Sequence, residues 1–179
     1  MGSHERDYLV IEPSLSKEPE IGRWLWALQD TRRRTIGELG NVSPATIDWL
    51  PESSANTIGT MLYHIADIEA DWLYAEVLEQ PIPAAVAALF PFDTRDAQGH
   101  LIQVAGLSLE QHVRRLETVR DLLLDVYQQM DLGEFRRIRS LPAYDVTPEW
   151  VLYHLMQHEA QHYGQIVRTR RAAAGQGLV

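Results

Sequence analysis

The sequence predicts an all-α protein, a four-helix bundle, and three observations point to it. Four segments place apolar residues at three- and four-residue spacing, the period of one helix face. These segments account for most of the 179 residues, with no internal repeat or low-complexity tract between them. At about 20 to 25 residues each, they would form helices roughly 30 to 37 Å long, matched lengths that pack into a bundle.

The first segment, residues 20–39, carries Ile21, Trp24, Leu25, Leu28, Ile36 and Leu39 along one side, and Gly40 and Asn41 end it. The second, 56–79, carries Ile58, Met61, Leu62, Ile65, Ile68 and Trp72, with Ser53, Ser54 or Asn56 as its cap. The third, 108–131, opens on Ser108-Leu-Glu-Gln, a capping box, runs through Leu109, Val113, Leu116, Val119, Leu123, Tyr127 and Met130, and has Gly133 as terminator. The fourth, 147–171, opens on Thr147-Pro148-Glu149, a cap, a proline at the first helical position and an acid suited to the positive end of the helix dipole. Between the second and third helices, residues 80–107 hold three prolines and two glycines. A tight antiparallel turn needs far fewer residues, so this connection permits a crossover that makes the third helix parallel to the second.

The length suits one domain over residues 1–179, since a single core commonly serves about 100 to 200 residues. With 45% apolar and 23% charged residues the composition is that of an ordinary globular protein, and a net charge of -9 argues against a basic nucleic-acid surface. Arginines cluster at 32–34, at Arg136, Arg137 and Arg139, and at Arg168, Arg170 and Arg171. They read mainly as solvated helix ends, with an anionic ligand as the alternative. The chain contains no cysteine, which excludes disulfides, thiolate metal ligands and a thiol nucleophile of its own. The longest apolar stretch, around Pro81 to Phe92, is short and broken by prolines, and the N-terminus lacks a signal-peptide pattern, so no membrane association and a cytoplasmic location are expected. His4, at the extreme N-terminus, carries no weight.

The chemistry concentrates in the fourth helix, where His154, His158 and His162 stand four residues apart. Neighbours at that spacing rise about 6 Å along the axis and project to one side, so two imidazoles can share one ion. The outer two are about 12 Å apart, too far to share it, so a further ligand must come from elsewhere. The inward stripe reads Val151, Leu155, His158, His162, Ile166 and Thr169, which puts His158 and His162 in the seam and His154 beside it, at the rim or supporting a ligand. A single histidine on an apolar face is ordinarily a hydrogen-bonded core residue. Two at ligand spacing, each needing a partner once buried, favour a metal. On the second helix His64 falls between Met61 and Ile68 on the core side, and so supplies the third ligand. His100, in the long loop, and His112, off the apolar stripe of the third helix, read as surface residues.

The segment Asn56-Thr-Ile-Gly-Thr-Met-Leu-Tyr-His64-Ile-Ala-Asp, followed by His158-Glu-Ala-Gln-His162-Tyr-Gly-Gln-Ile, resembles the DinB/YfiT-like superfamily over essentially the whole chain. Its most specific motif is the last, although the family commonly has arginine before Gly-Gln where Tyr163 stands here. The resemblance implies an up-down-down-up bundle, often a homodimer, and a three-histidine site for zinc, nickel or a similar divalent ion. Carried over by position, its ligands are His64, His158 and His162, the set that the periodicity selects.

Three neutral histidines leave a tetrahedral ion with an open position, the arrangement of catalytic rather than closed structural sites. Such an ion activates water or holds a thiol as thiolate. With no cysteine in the chain, the thiol would be a cosubstrate, and the resembled superfamily includes transferases and isomerases that use low-molecular-weight thiols. The leading expectation is therefore a metal-dependent transferase joining a thiol to a small electrophilic substrate. The alternatives are a metal-dependent hydrolase and a non-catalytic metal-binding bundle. Asp67, one turn after His64, is a candidate to orient an imidazole, with an exposed helix acid as the plain alternative. Asp71, Glu159, Gln161, Tyr63 and Tyr163 are further polar candidates. Glu159 matches His-Glu-x-x-His in form, but a third ligand lying upstream in a bundle does not favour a peptidase. The five tryptophans read as core, or as the lining of an apolar substrate pocket.

Overall fold

In a computed structural model of the chain, residues 9–40, 42–52 and 56–178 are described. Helix α1 spans Pro19–Leu39, opened by its proline and Glu20 and closed at Gly40, whose φ of 41° suits a residue without Cβ. The other proposed terminator, Asn41, lies outside the described residues. A short α2 (Pro44–Ile47) follows, with the Ser43 hydroxyl accepting the Thr46 N–H. Helix α3, Ile58–Trp72, is capped by Thr57, whose hydroxyl accepts the Thr60 N–H at 3.0 Å. The cap expected at Ser53, Ser54 or Asn56 therefore falls one residue past Asn56, and Ser53 and Ser54 lie outside the described residues. Beyond Trp72 the helix continues as a π-helical turn, Leu73–Val77, instead of running as α-helix to residue 79.

The long connection carries a short α4 (Ala84–Ala87) and an isolated antiparallel bridge between Arg95 and Leu101. Helix α5, Leu109–Tyr127, begins with the expected capping box: the Ser108 hydroxyl accepts the Gln111 N–H, and the Gln111 side chain accepts the Ser108 N–H. It stops short of residue 131. Gly133 lies inside α6 (Leu132–Phe135), capped by Asp131, so it terminates nothing. Strands β1 (Arg139–Ser140) and β2 (Asp145–Val146) form a small antiparallel hairpin. Helix α7, Pro148–Gly175, starts where Thr147-Pro148 predicts and runs past Arg171.

Contacts between helix ends fix their directions. Arg136 pairs with both Glu20 and Glu149 near the starts of α1 and α7, while Glu38 and Arg170 pair at 2.8 Å near their far ends, so these helices are parallel. Near the start of α3, Gly59 sits against His112 in the first turn of α5, and Glu69 pairs with Arg120 further along, which makes α3 and α5 parallel. His64 meets His158 and His162 while Trp72 meets Trp150, so α3 and α7 are antiparallel. The order is up-down-down-up, and residues 80–107 provide the crossover that α3 and α5 require.

Two apolar clusters fill the bundle. One joins Ile21, Leu25, Leu28, Leu73, Leu123, Val151 and Leu155, and the other Leu39, Ile58, Met61, Leu62, Leu116 and Ile166. Between them in sequence each long helix carries one buried charged residue: Arg32 on α1, Glu69 on α3, Arg120 on α5 and Glu159 on α7. Arg32 donates to Glu159 and Glu69, each at 2.8 Å, and Arg120 donates to Glu69 at 2.6 and 2.9 Å and to Glu159 at 3.0 Å. Two positive and two negative charges thus balance in a layer touching all four helices. This corrects the reading of Arg32 as a solvated helix end. Arg139 is corrected likewise: it is 1% exposed and donates to the carbonyls of Val77, Glu134 and Arg137.

Candidate metal centre

Helices α3 and α7 bring His64, His158 and His162 together in one place. His64 is buried, and the other two are half-buried. The Nε2 of His158 lies 3.2 Å from the Nε2 of His64 and 3.2 Å from that of His162, and one ring nitrogen from each residue falls within 4.8 Å of the others. The three rings meet edge to face, with centroids 4.6 to 5.2 Å apart.

Two features prepare these nitrogens to act as ligands. Burial pushes His64 down to about 4 and His158 to about 3, and in each case the neighbouring His162 adds to the shift. Burial lowers His162 as well. At neutral pH the rings are therefore neutral and carry lone pairs. The second feature is Gln165, whose side-chain oxygen lies 3.1 Å from Nδ1 of His162. An amide oxygen only accepts, so this contact places the ring proton on Nδ1 and leaves Nε2 free. The sequence motif alone gives Gln165 no role. The signal was its position three residues after His162, on the same side of the helix.

The donor set fits a divalent transition ion. Nitrogens bound to one tetrahedral centre at about 2.05 Å stand about 3.3 Å apart, and two of the three separations here are 3.2 Å. Without an ion, His158 Nε2 faces two ring nitrogens and can donate only one proton between them.

The remaining candidates are spread around this cluster. His154 stays out of the trio, as its position off the seam predicts. It stacks on Trp150 (5.1 Å, 6°), packs on Trp72 at 4.4 Å and stacks at 6.0 Å on His158. An aromatic row thus runs from Trp150, 45% exposed, to a candidate ligand. Of the tryptophans, Trp24 and Trp72 pack partly buried against the first apolar cluster. Asp67 accepts the Thr94 hydroxyl at 2.5 Å, while Nδ1 of His64 is buried with no hydrogen-bond partner. Asp71 is exposed. Glu159 turns away from the cluster into the charged layer. Tyr63 holds the long connection, donating to the Phe92 carbonyl at 2.9 Å and accepting its N–H at 3.0 Å. Tyr163 is half-buried and Gln161 exposed. His100 is exposed, as expected. His112 is not: it is fully buried, with both ring nitrogens unpartnered, because α5 presses its first turn against Gly59 of α3.

The sequence pattern of the DinB superfamily matches residues 27–166, a span that includes both histidine-bearing segments. The chain belongs to the DinB superfamily. No curated protein gives a significant match. Among solved structures, the crystal structure of a conserved protein from Enterococcus faecalis superposes with a TM-score of 0.67, covering 85% of this chain and 95% of that one at 15% identity. At that identity the likeness speaks for the fold. In this DinB-superfamily chain the three histidines thus sit on the second and fourth long helices of a bundle with a solved counterpart.

Proposed function

We propose that His64, His158 and His162 hold one divalent ion, zinc or nickel, and that this centre serves a transferase joining a low-molecular-weight thiol to a small electrophile. The observation that carries the reading is the convergence of three neutral imidazole nitrogens within 4.8 Å, two of the separations at the 3.2 Å that suits a tetrahedral ion. When bound, such an ion with an open position lowers the pKa of a coordinated thiol or water. The protein's own groups do the rest. Gln165 fixes the His162 tautomer, and burial keeps all three rings unprotonated. Because the chain has no cysteine, any thiol comes from outside. A homodimer forms part of the same reading, by family likeness, and light scattering measures it.

The test is elemental analysis of untagged protein prepared without immobilised nickel, joined to thiol-consumption assays over several electrophiles. One equivalent of metal is expected, lost in His158→Ala while helicity by circular dichroism is kept. Unchanged metal content in that variant would sink the site. Metal retained with no thiol turnover would reject the transferase and leave a binding protein.

A further inference from the structure

The crossover is tied down on both sides of His64. Tyr63 clasps the backbone of Phe92, and Asp67, one turn on, accepts from Thr94. Residues 92–94 therefore lie along α3 beside the metal-binding cluster. The next residue, Arg95, begins a small hairpin closed by its bridge to Leu101, by the Ile102 N–H on the Thr94 carbonyl and by Asp96, whose carboxylate accepts the N–H groups of Gln98 and His100. This turn fixes the backbone that carries the guanidinium.

Arg95 differs from the arginines of the buried layer. It makes no ion pair among the described residues, and its hydrogen bond there is to the carbonyl of Gly99, at 2.7 Å. A guanidinium has five N–H donors in a planar fork, so most of them remain free at this exposed position. Thr94, which donates to Asp67 one turn after His64 on the same side of α3, directly precedes Arg95, so the backbone that carries the guanidinium starts one residue from that contact. Asp67 has its hydrogen bond with Thr94 and makes none with Arg95.

We propose that Arg95 is a specificity-determining residue that binds an anionic oxygen group, such as a carboxylate, on the molecule that meets the metal. This inference rests on the metal-and-thiol reading above and narrows its ligand class to molecules carrying an anion a few bonds from the coordinating atom. On a chain of net charge -9, a cation carried next to the Thr94–Asp67 tether supplies the local attraction that the overall charge denies to such a ligand.

The experiment uses cobalt-loaded full-length protein and reads thiolate-to-cobalt absorption during titration with 3-mercaptopropionate, its methyl ester and cysteamine. Wild type should bind the carboxylate form about tenfold more tightly than the other two, a preference that shrinks with added salt. Arg95→Ala should erase the preference while still binding one equivalent of cobalt, and Arg95→Lys should restore part of it. Equal affinities in wild type, or the same preference in Arg95→Ala, would overturn the assignment of Arg95 alone. Failure to bind cobalt, or absence of the absorption band with all three thiols, overturns the metal-and-thiol reading and this inference with it.

Discussion

His112 shows what a single buried side chain contributes at the residue scale. Burial holds its ring down to about 4, the nearby Arg115 charge acts in the same direction, and Asp48 opposes them. The folded value lies below the ordinary histidine value of about 6.5, so between these limits the unfolded chain binds the extra proton and the folded chain does not. Stability present above pH 6.5 is therefore lost as the pH falls toward 4. The loss from this residue is up to about 3 kcal/mol. His64, His158 and His162 add the same trend in metal-free protein, so the informative quantity is a difference. Urea denaturation from pH 7 to pH 4.5 should show a shallower decline for His112→Leu than for wild type. Parallel curves would mean that the ring is already protonated or hydrated in the fold. Gln165 acts at the same scale in another way: one acceptor decides which nitrogen of His162 is free.

At the element scale, the charged layer ties each long helix to the others. Every carboxylate and guanidinium in it has a partner of opposite sign on a different helix. Arg120 also donates to the Leu28 carbonyl and to Gln29, and Arg32 to the Leu116 carbonyl, so α1 and α5 are joined through their backbones as well. Such a layer is costly to bury and still more costly to break, since removing one member strands the opposite charge in an apolar interior. Arg120→Met should destabilise the bundle by about 3 to 5 kcal/mol in urea denaturation, whereas Arg114→Ala, which removes an exposed pair with Glu110, should cost less than about 1 kcal/mol. A small effect of Arg120→Met would mean that water reaches Glu69 and Glu159 and solvates them. Because Glu159 follows His158 directly, the layer also anchors the turn of α7 that presents the candidate ligand.

For the whole molecule, a metal bound by His64, His158 and His162 would staple α3 to α7, helices that run in opposite directions. An ion that binds only the folded state at about 100 times its dissociation constant adds about 2.7 kcal/mol, which for a chain of this size raises the melting temperature by roughly 5 to 10 °C. Zinc should produce that rise in wild type, a chelator should reverse it, and His64→Ala should abolish it. A rise of equal size in His64→Ala would place the ion elsewhere.

Read by itself, the sequence determined the four long helices, the capping box at Ser108, the start of α7 at Thr147 and the three histidines that meet. All of these depend on local spacing: apolar period, cap chemistry and the four-residue interval are written along one helix. Tertiary structure alone decided the rest. His112 looked exposed from its own helix and is buried because α3 packs against it through Gly59. Arg32 looked like a solvated helix end and is a core residue because Glu69 and Glu159 arrive from two other helices. Arg95 had no distinguishing neighbour in the chain and follows a segment that Tyr63 and Asp67, on either side of His64, hold against α3. In each case the deciding partner is distant in sequence, and the fate of a charge or an imidazole depends on whether water or a countercharge meets it, which packing settles and periodicity does not.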